Sequence, residues 1–121
     1  MKVYTGCFFK EYPGAVKVSI ARSEPTFFGE IFTIKDLAPG RKLLQDYKAR
    51  IIGIPEYKQR YRDEVLAKLN KNDVLRAAEL ASVTFGGQDV ILCCWEKTGF
   101  CHRQLVAEWL GIEEYTGGEK Q

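Results

Sequence analysis

Reactive side chains are concentrated in one short stretch of the sequence, CWEKTGFCHR, which runs from Cys94 to Arg103. This stretch holds the only histidine of the chain, His102, which can exchange a proton near neutral pH. Cys101 lies where a helix is expected to begin, a position that favours the thiolate form. Arg103 offers a planar fork of donors suited to phosphate or carboxylate, and Glu96 can orient the histidine or act as a base.

The residues before and after this stretch predict the secondary structure that positions it. The segment DVILCC (Asp89 to Cys94) is apolar on both faces, which is typical of a central strand in a covered sheet. A helix is expected from about Cys101 to Leu110 and is ended by Gly111. The free N–H groups and the dipole at the start of that helix favour an anion. The stretch therefore joins a buried strand to a helix start.

Strands alternate with helices along the rest of the chain. Lys2 to Thr5 and Ala15 to Ile20 are predicted strands, and Pro39, Pro55 and Asn72 stand where helices are expected to begin. Strands separated by helices predict an α/β fold. We expect a single domain with a small open, mostly parallel sheet and helices on both faces, in a Rossmann-like or flavodoxin-like three-layer arrangement.

In open sheets of this kind, ligands bind beyond the carboxyl ends of the strands. This rule selects the residues after Cys94 and, on the second strand, the residues after Ile20. Arg22 and Ser19 are the candidates at the second place, and Ser19 has the alternative role of satisfying nearby backbone groups. The two strand ends are expected to form one pocket.

Size and composition limit the remaining possibilities. The chain has 121 residues and a net charge of +2, which fits one domain, expected over residues 1–112, followed by a frayed polar tail over 113–121. No apolar run has the length of a signal-peptide core or a membrane span, so we expect a cytoplasmic protein without a membrane partner. All four cysteines are expected to be reduced, with Cys7 and Cys93 as packing residues.

Positive charge is concentrated in the middle of the chain. Between Lys35 and Arg62 there are eight basic residues and three acids. Such a bias can attract an anionic partner, and the alternative is a solvated helix surface. Tyr57 and Tyr61, together with Arg60, can line a cleft or stack on bases, although the four-residue spacing of the tyrosines is typical of a helix face in the core.

Other chemistries of the Cys94 to Arg103 stretch are less well supported. Eight residues separate Cys94 from Arg103, which is more than the phosphate loop of tyrosine phosphatases has. No short cysteine pair of the kind found in zinc sites is present, and the neighbours Cys101 and His102 are expected to point apart on a helix. We therefore expect no metal, although Cys7 is a possible distant ligand. A redox pair of Cys94 and Cys101 stays open as a thiol sensor.

Several segments resemble one known family. The run ILCCWEKTGFCHRQLVAEWL, with Cys94, Glu96 and the triplet Cys101-His102-Arg103, resembles the family called domain of unknown function 488. VSIARSEP, which contains Arg22, resembles a second family segment, with Ala21 and Ser23 in place of the expected Ser and Gly, and Cys93 is an additional thiol. LAPGRKLLQDYK and EYKQRYRDEVLAKL also resemble family segments. The resemblance covers nearly the whole chain and implies no particular activity.

These observations lead to one hypothesis and two alternatives. We expect the protein to bind a phosphorylated small molecule, a nucleotide or a nucleic-acid end without a cofactor, and its oligomeric state stays open. The predicted site has two kinds of residue. The reactive or orienting residues are Cys94, Glu96 and His102. The ligand-binding residues are Ser19, Arg22, Cys101 and Arg103. The alternatives are a thiol sensor and a non-enzymatic interaction module in which the Cys-His-Arg cluster is structural, with Arg103 in an internal ion pair.

Overall fold

The centre of the sheet is β4 (Asp89–Cys94), the strand predicted from DVILCC. In the computed structural model, which describes residues 1–23, 31–96 and 100–116, β4 lies between β1 (Val3–Cys7) and β2 (Ala15–Ser19). A short strand, β3 (Phe32–Thr33), pairs with the other edge of β2. The strand order is β1-β4-β2-β3 and every pairing is parallel, which confirms the predicted parallel sheet of an α/β domain.

The α-helices of the described chain are α1 (Arg41–Lys48), α2 (Ile54–Glu64), α3 (Lys71–Thr84) and α4 (Arg103–Leu110). Two of them begin at other residues than predicted. The N-cap of α3 is Asn70 rather than Asn72, since the Asn70 side chain accepts hydrogen bonds from the backbone N–H groups of Asn72 and Asp73. α4 begins at Arg103, so Cys101 lies before the helix and not in its first turn.

The two faces of the sheet are covered differently. Alternate residues of β4, such as Val90 and Leu92, belong to the larger hydrophobic cluster, which also contains the buried residues of the helices. The intervening residue Ile91 belongs to a second cluster with Phe8 and Tyr12. Those two aromatic residues lie on the connection from β1 to β2, which therefore closes the second face.

This arrangement differs from the expected three layers. In the described residues, all helix side chains that reach the core do so on one face of the sheet. The other face is closed by loop and tail residues, among them Trp95 and Tyr115. A helix was expected on each face because a doubly apolar strand requires cover on both sides, and aromatic side chains from loops provide that cover here.

The beginning of the predicted tail is held against the sheet. The N–H of Thr5 donates to the carbonyl of Glu113 at 3.0 Å, and the N–H of Tyr115 donates to the carbonyl of Thr5 at 2.8 Å. The Tyr115 ring packs edge-on against Tyr4 with 5.0 Å between centroids. Residues 113–115 of the predicted tail are therefore paired with β1, and residues 117–121 lie outside the described chain.

The apolar residues Phe27, Phe28, Ile31 and Phe32 lie close together in the sequence and are expected to cover the core. Phe27 and Phe28 lie outside the described residues. Ile31 packs against the second cluster and Phe32 against the first. Among the described helices, none combines the length and the apolar character needed to cross a bilayer.

Candidate functional site

A cavity of about 360 Å³ lies at the carboxyl ends of β2 and β4, and we call it the site cavity. Residues from both strand ends, from the segment before α4 and from two helices line it: Ala21, Arg22, Ser23, Pro39, Leu44, Tyr47, Lys48, Tyr57, Cys94, Trp95, Glu96, Phe100, Cys101 and His102. The structure thus brings together five of the seven residues proposed from the sequence. The other two, Ser19 and Arg103, do not line it.

Cys94 and Cys101 form a disulfide at the floor of the site cavity. Both are buried, the first as the last residue of β4 and the second just before α4. The expectation of reduced thiols was therefore wrong for this pair. Cys7 and Cys93 are free and buried, as expected, and burial raises the pKa of the Cys93 thiol to about 12.

His102 is held as a neutral imidazole. Its Nε2 lies 2.8 Å from the carbonyl oxygen of Ile20, and because a carbonyl can only accept, Nε2 carries the proton and donates it. Nδ1 consequently presents a lone pair, and it lies 3.7 Å from Sγ of Cys101. Burial lowers the pKa of His102 to about 4. Proton exchange near neutral pH, expected from the residue type, is therefore not supported at this position.

The side chains of Cys94, Cys101 and His102 converge. One potential ligand atom from each lies within 4.8 Å of those from the other two. The expectation that Cys101 and His102 point apart was wrong, because it assumed a helical backbone that begins only at Arg103. In the non-helical conformation of residue 101, the two neighbouring side chains turn toward the same point.

Arg103 is the centre of a buried polar cluster, which we call the anchor cluster. Its side chain is 3% exposed, and Nε and Nη2 donate to the two carboxylate oxygens of Glu114 at 3.0 and 3.3 Å. Nη1 donates to Sγ of Cys94 at 3.3 Å and to the carbonyl of Glu96. Its donors thus face protein groups, as the alternative of an internal structural ion pair requires.

Ser19 and Arg22 follow different paths after β2. Ser19 is fully buried and its Oγ accepts the N–H of Ala21 at 3.3 Å, which is the backbone role considered for it. Arg22 is exposed and lines both the site cavity and an adjoining cavity of about 620 Å³. Of the two, only Arg22 is placed to meet a ligand.

Cations surround the mouth of the two adjoining cavities. Arg22 and Lys48 line the first, and Lys35 and Arg41 line the second together with Arg22. We call these four residues the basic rim. Lys35 also donates from Nζ to the carbonyl of Arg22 at 2.6 Å, which ties the two sides of the rim together.

Aromatic rings form one side of the site cavity, and we call Tyr47, Tyr57 and Phe100 the ring wall. The ring centroids of Tyr47 and Tyr57 are 4.9 Å apart, and those of Tyr57 and Phe100 are 5.3 Å apart in an edge-to-face pair. Tyr61 lies behind the wall, fully buried, with its hydroxyl donating to the carbonyl of Leu37 at 2.6 Å. Only one of the two α2 tyrosines therefore lines the site cavity.

Comparison with known families agrees with the resemblance of the motifs. A family described as "DUF488-N3a: Active DUF488-N3 subclade" matches residues 21–114. The chain belongs to this family. The match to the DUF488 family begins beside Arg22 and ends at Glu114, so it spans the residues of the site cavity and of the anchor cluster. No curated protein and no solved structure matches the chain.

Several residues of this DUF488 site were missed in the sequence. Glu114 binds Arg103 from the segment expected to fray, and nothing in its local sequence distinguishes it from its neighbour Glu113. Tyr47 and Lys48 lie on α1 and line the site cavity, and neither was proposed as a site residue from the sequence. The excess of basic residues after Lys35 was a usable signal for the basic rim, but it gave no indication of which cations face a cavity.

Proposed function

We propose that the protein binds an anionic small molecule with a planar ring, such as a nucleotide or a related phosphorylated compound, in the site cavity. The observation that carries the proposal is that two cations of the basic rim, Arg22 and Lys48, line the same cavity as the ring wall. Cations attract and bind phosphate, and aromatic side chains stack on bases. Concave sites with apolar walls and a few convergent polar groups are the usual form of small-molecule sites.

Three other cations of this part of the chain are paired with carboxylates. Lys42 and Arg60 both contact the carboxylate of Asp46, at 3.1 and 2.9 Å, and Arg62 contacts Glu108 at 3.1 Å. Their charges are thereby compensated by carboxylates. Arg41 and Lys48, from the same basic stretch, line the two adjoining cavities together with Arg22, where their positive charge would attract an anion.

The anion-binding role assigned from the sequence to Arg103 passes to Arg22 in this proposal. Arg103 is engaged in the anchor cluster, whereas Arg22 lies at the carboxyl end of β2 and lines both cavities. Lys48, on α1, lines the same site cavity. In this proposal both cations contact the anion, and the ring of the ligand lies against Phe100 or Tyr57.

Calorimetric titration with nucleotides, inorganic phosphate and short oligonucleotides tests the proposal. We expect Arg22→Ala and Lys48→Ala each to weaken nucleotide binding by about tenfold or more, since a hydrogen bond to a charged group contributes about 1.5–3 kcal/mol. Arg62→Ala, which removes a paired surface cation, is the matched control and should bind as wild type does. Equal binding by wild type and Arg22→Ala would remove the proposal, and tighter binding of oligonucleotides would redirect it to a nucleic-acid end.

A thiol sensor is the second candidate, and the disulfide between Cys94 and Cys101 favours it. In the sensing reaction, hydrogen peroxide would take two electrons from the two thiols, and the S–S bond and two waters would form. Mass spectrometry of reduced protein after mild peroxide treatment tests this. A Cys94–Cys101 bridge formed faster than any oxidation of Cys7 or Cys93 supports a sensor, and random oxidation of all four thiols contradicts it.

A further inference from the structure

We propose that, once reduced, Cys94 and Cys101 bind a zinc ion together with Nδ1 of His102, with a fourth coordination position open to the site cavity. The inference rests on the convergence of these three side chains, whose ligand atoms lie within 4.8 Å of one another. It goes beyond the proposed ligand binding and does not depend on it. The site is distinct in chemistry, because zinc requires thiolates and a neutral imidazole rather than cations.

The distance between Cys101 and His102 matches that of two ligands in a tetrahedral zinc centre. With Zn–S of about 2.3 Å and Zn–N of about 2.0 Å, a tetrahedral angle places sulfur and nitrogen about 3.6 Å apart. Nδ1 of His102 and Sγ of Cys101 are 3.7 Å apart. The Cα atoms of Cys94 and Cys101 are 7.3 Å apart, wider than the roughly 4.4–6.8 Å of most disulfides, so this backbone also accommodates two separated sulfurs.

The orientation of His102 is that of a metal ligand. Metal-binding histidines commonly donate their second ring N–H to a carbonyl or carboxylate, which fixes the tautomer and directs the other lone pair at the ion. Here Nε2 donates to the carbonyl of Ile20 at 2.8 Å, and the lone pair of Nδ1 faces Cys101. Because Cys101 is in a disulfide, its sulfur carries no proton and cannot donate a hydrogen bond to the lone pair of Nδ1.

The remaining surroundings also suit a metal. Arg103 donates from Nη1 to Sγ of Cys94 at 3.3 Å, and such a hydrogen bond from a cation stabilises a thiolate. All three ligands are buried, and all three line the site cavity. Two cysteines and one histidine with an open position form a ligand set of the kind found in catalytic zinc sites, where water or substrate takes the fourth place.

The conversion between the disulfide form and the zinc-bound dithiolate form can be written as balanced reactions. A dithiol or phosphine reductant supplies two electrons to the disulfide, and two protons give two thiols. Binding of Zn²⁺ then displaces both thiol protons. In the reverse direction, hydrogen peroxide takes two electrons from the two thiolates, the S–S bond forms again, and the zinc ion leaves as two waters are produced with two protons from solvent.

Zinc analysis of the full-length protein tests the proposal directly. The protein is reduced with a phosphine under argon, equilibrated with Zn²⁺ and a competing chelator, and analysed by elemental mass spectrometry after gel filtration. We expect about one zinc per chain when reduced and none after peroxide oxidation. Cys101→Ala and His102→Ala should each weaken zinc binding by about 100-fold or more, since loss of even an outer partner costs about 10–100-fold.

Cys93→Ala is the matched control, because Cys93 is an equally buried thiol on the other face of β4, and it should bind zinc as wild type does. Circular dichroism verifies that each variant is folded. Cobalt(II) added to reduced wild type provides a readout without mutation, and we expect the thiolate-to-cobalt charge-transfer absorption of a tetrahedral site. A folded, reduced wild type that takes up no zinc and shows no such absorption overturns the proposal, as does equal binding by Cys101→Ala. Neither result affects the nucleotide titration.

Discussion

The residues on the two sides of the Cys94 side chain have different roles, one structural and one in the proposed binding site. On one side the anchor cluster joins the buried Arg103 to the half-buried Glu114, and on the other Cys101 and His102 face the site cavity. His102 and Arg103 are neighbours in the sequence, yet His102 lines the cavity and Arg103 binds Glu114 of the segment after α4. The comparison teaches that a run of reactive residue types can divide into a site and its support, because the backbone enters a helix between them.

The strongest test of this division is Arg103→Ala. We expect it to lower the free energy of unfolding by about 3 kcal/mol, the low end for a broken buried pair, since the Glu114 side chain remains 39% exposed. Urea unfolding measures the loss, and Arg62→Ala, in an exposed ion pair, should change stability by less than about 0.5 kcal/mol. If Arg103→Ala kept full stability but lost ligand, the two sides would have exchanged roles.

A second test concerns the neutral imidazole on the cavity side. Because burial lowers the folded pKa of His102 from 6.5 to about 4, the unfolded state binds the extra proton first as the pH falls. His102 therefore contributes full stability above pH 6.5 and loses it progressively down to about pH 4, by up to about 3 kcal/mol.

Urea unfolding of the oxidised protein between pH 8 and pH 4 measures this loss, and His102→Gln serves as the control. The difference between wild type and the variant should shrink as the pH falls. A difference that is constant over this range would show that the imidazole is not desolvated.

A third test separates the ring wall from the basic rim. Phe100→Leu removes the aromatic face and keeps an apolar side chain, so nucleotide affinity should fall by about tenfold, in line with about 1–3 kcal/mol for base stacking. Affinity for inorganic phosphate should stay unchanged. Calorimetry with the two ligands compares them, and an equal loss for both would indicate that Phe100 shapes the cavity rather than stacking.

The smallest expected effect is on Cys93. With its pKa raised to about 12 by burial, only about one thiol in 10⁴ is ionised at pH 8, so iodoacetamide should leave Cys93 unmodified in the native protein. Peptide mapping after labelling of reduced protein measures this, and Cys101, which lines the cavity, should react first. Modification of Cys93 at the rate of Cys101 would show that the second face of the sheet is open.

The parts of the fold carried by local patterns were predictable from the sequence. The six apolar residues of β4 and the placement of a candidate site beyond Cys94 follow from residue type and order alone. The ion-pair partner of Arg103 could not be predicted from the sequence, because the contact with Glu114 depends on how the segment after α4 returns to β1. The convergence of Cys101 and His102 was missed because α4 begins two residues later than predicted, so the directions that a helix would give these side chains do not apply.

The strand order has a consequence for how the chain reaches its native state. β1 and β2 are the first strands to be synthesised, but each pairs with β4 and not with the other. The sheet therefore cannot close until the polypeptide extends beyond residue 94, and its pairings span long loops. Folds with such non-local pairings fold slowly, so we expect the nascent protein to join β1 to the pair of β2 and β3 only after β4 has been synthesised.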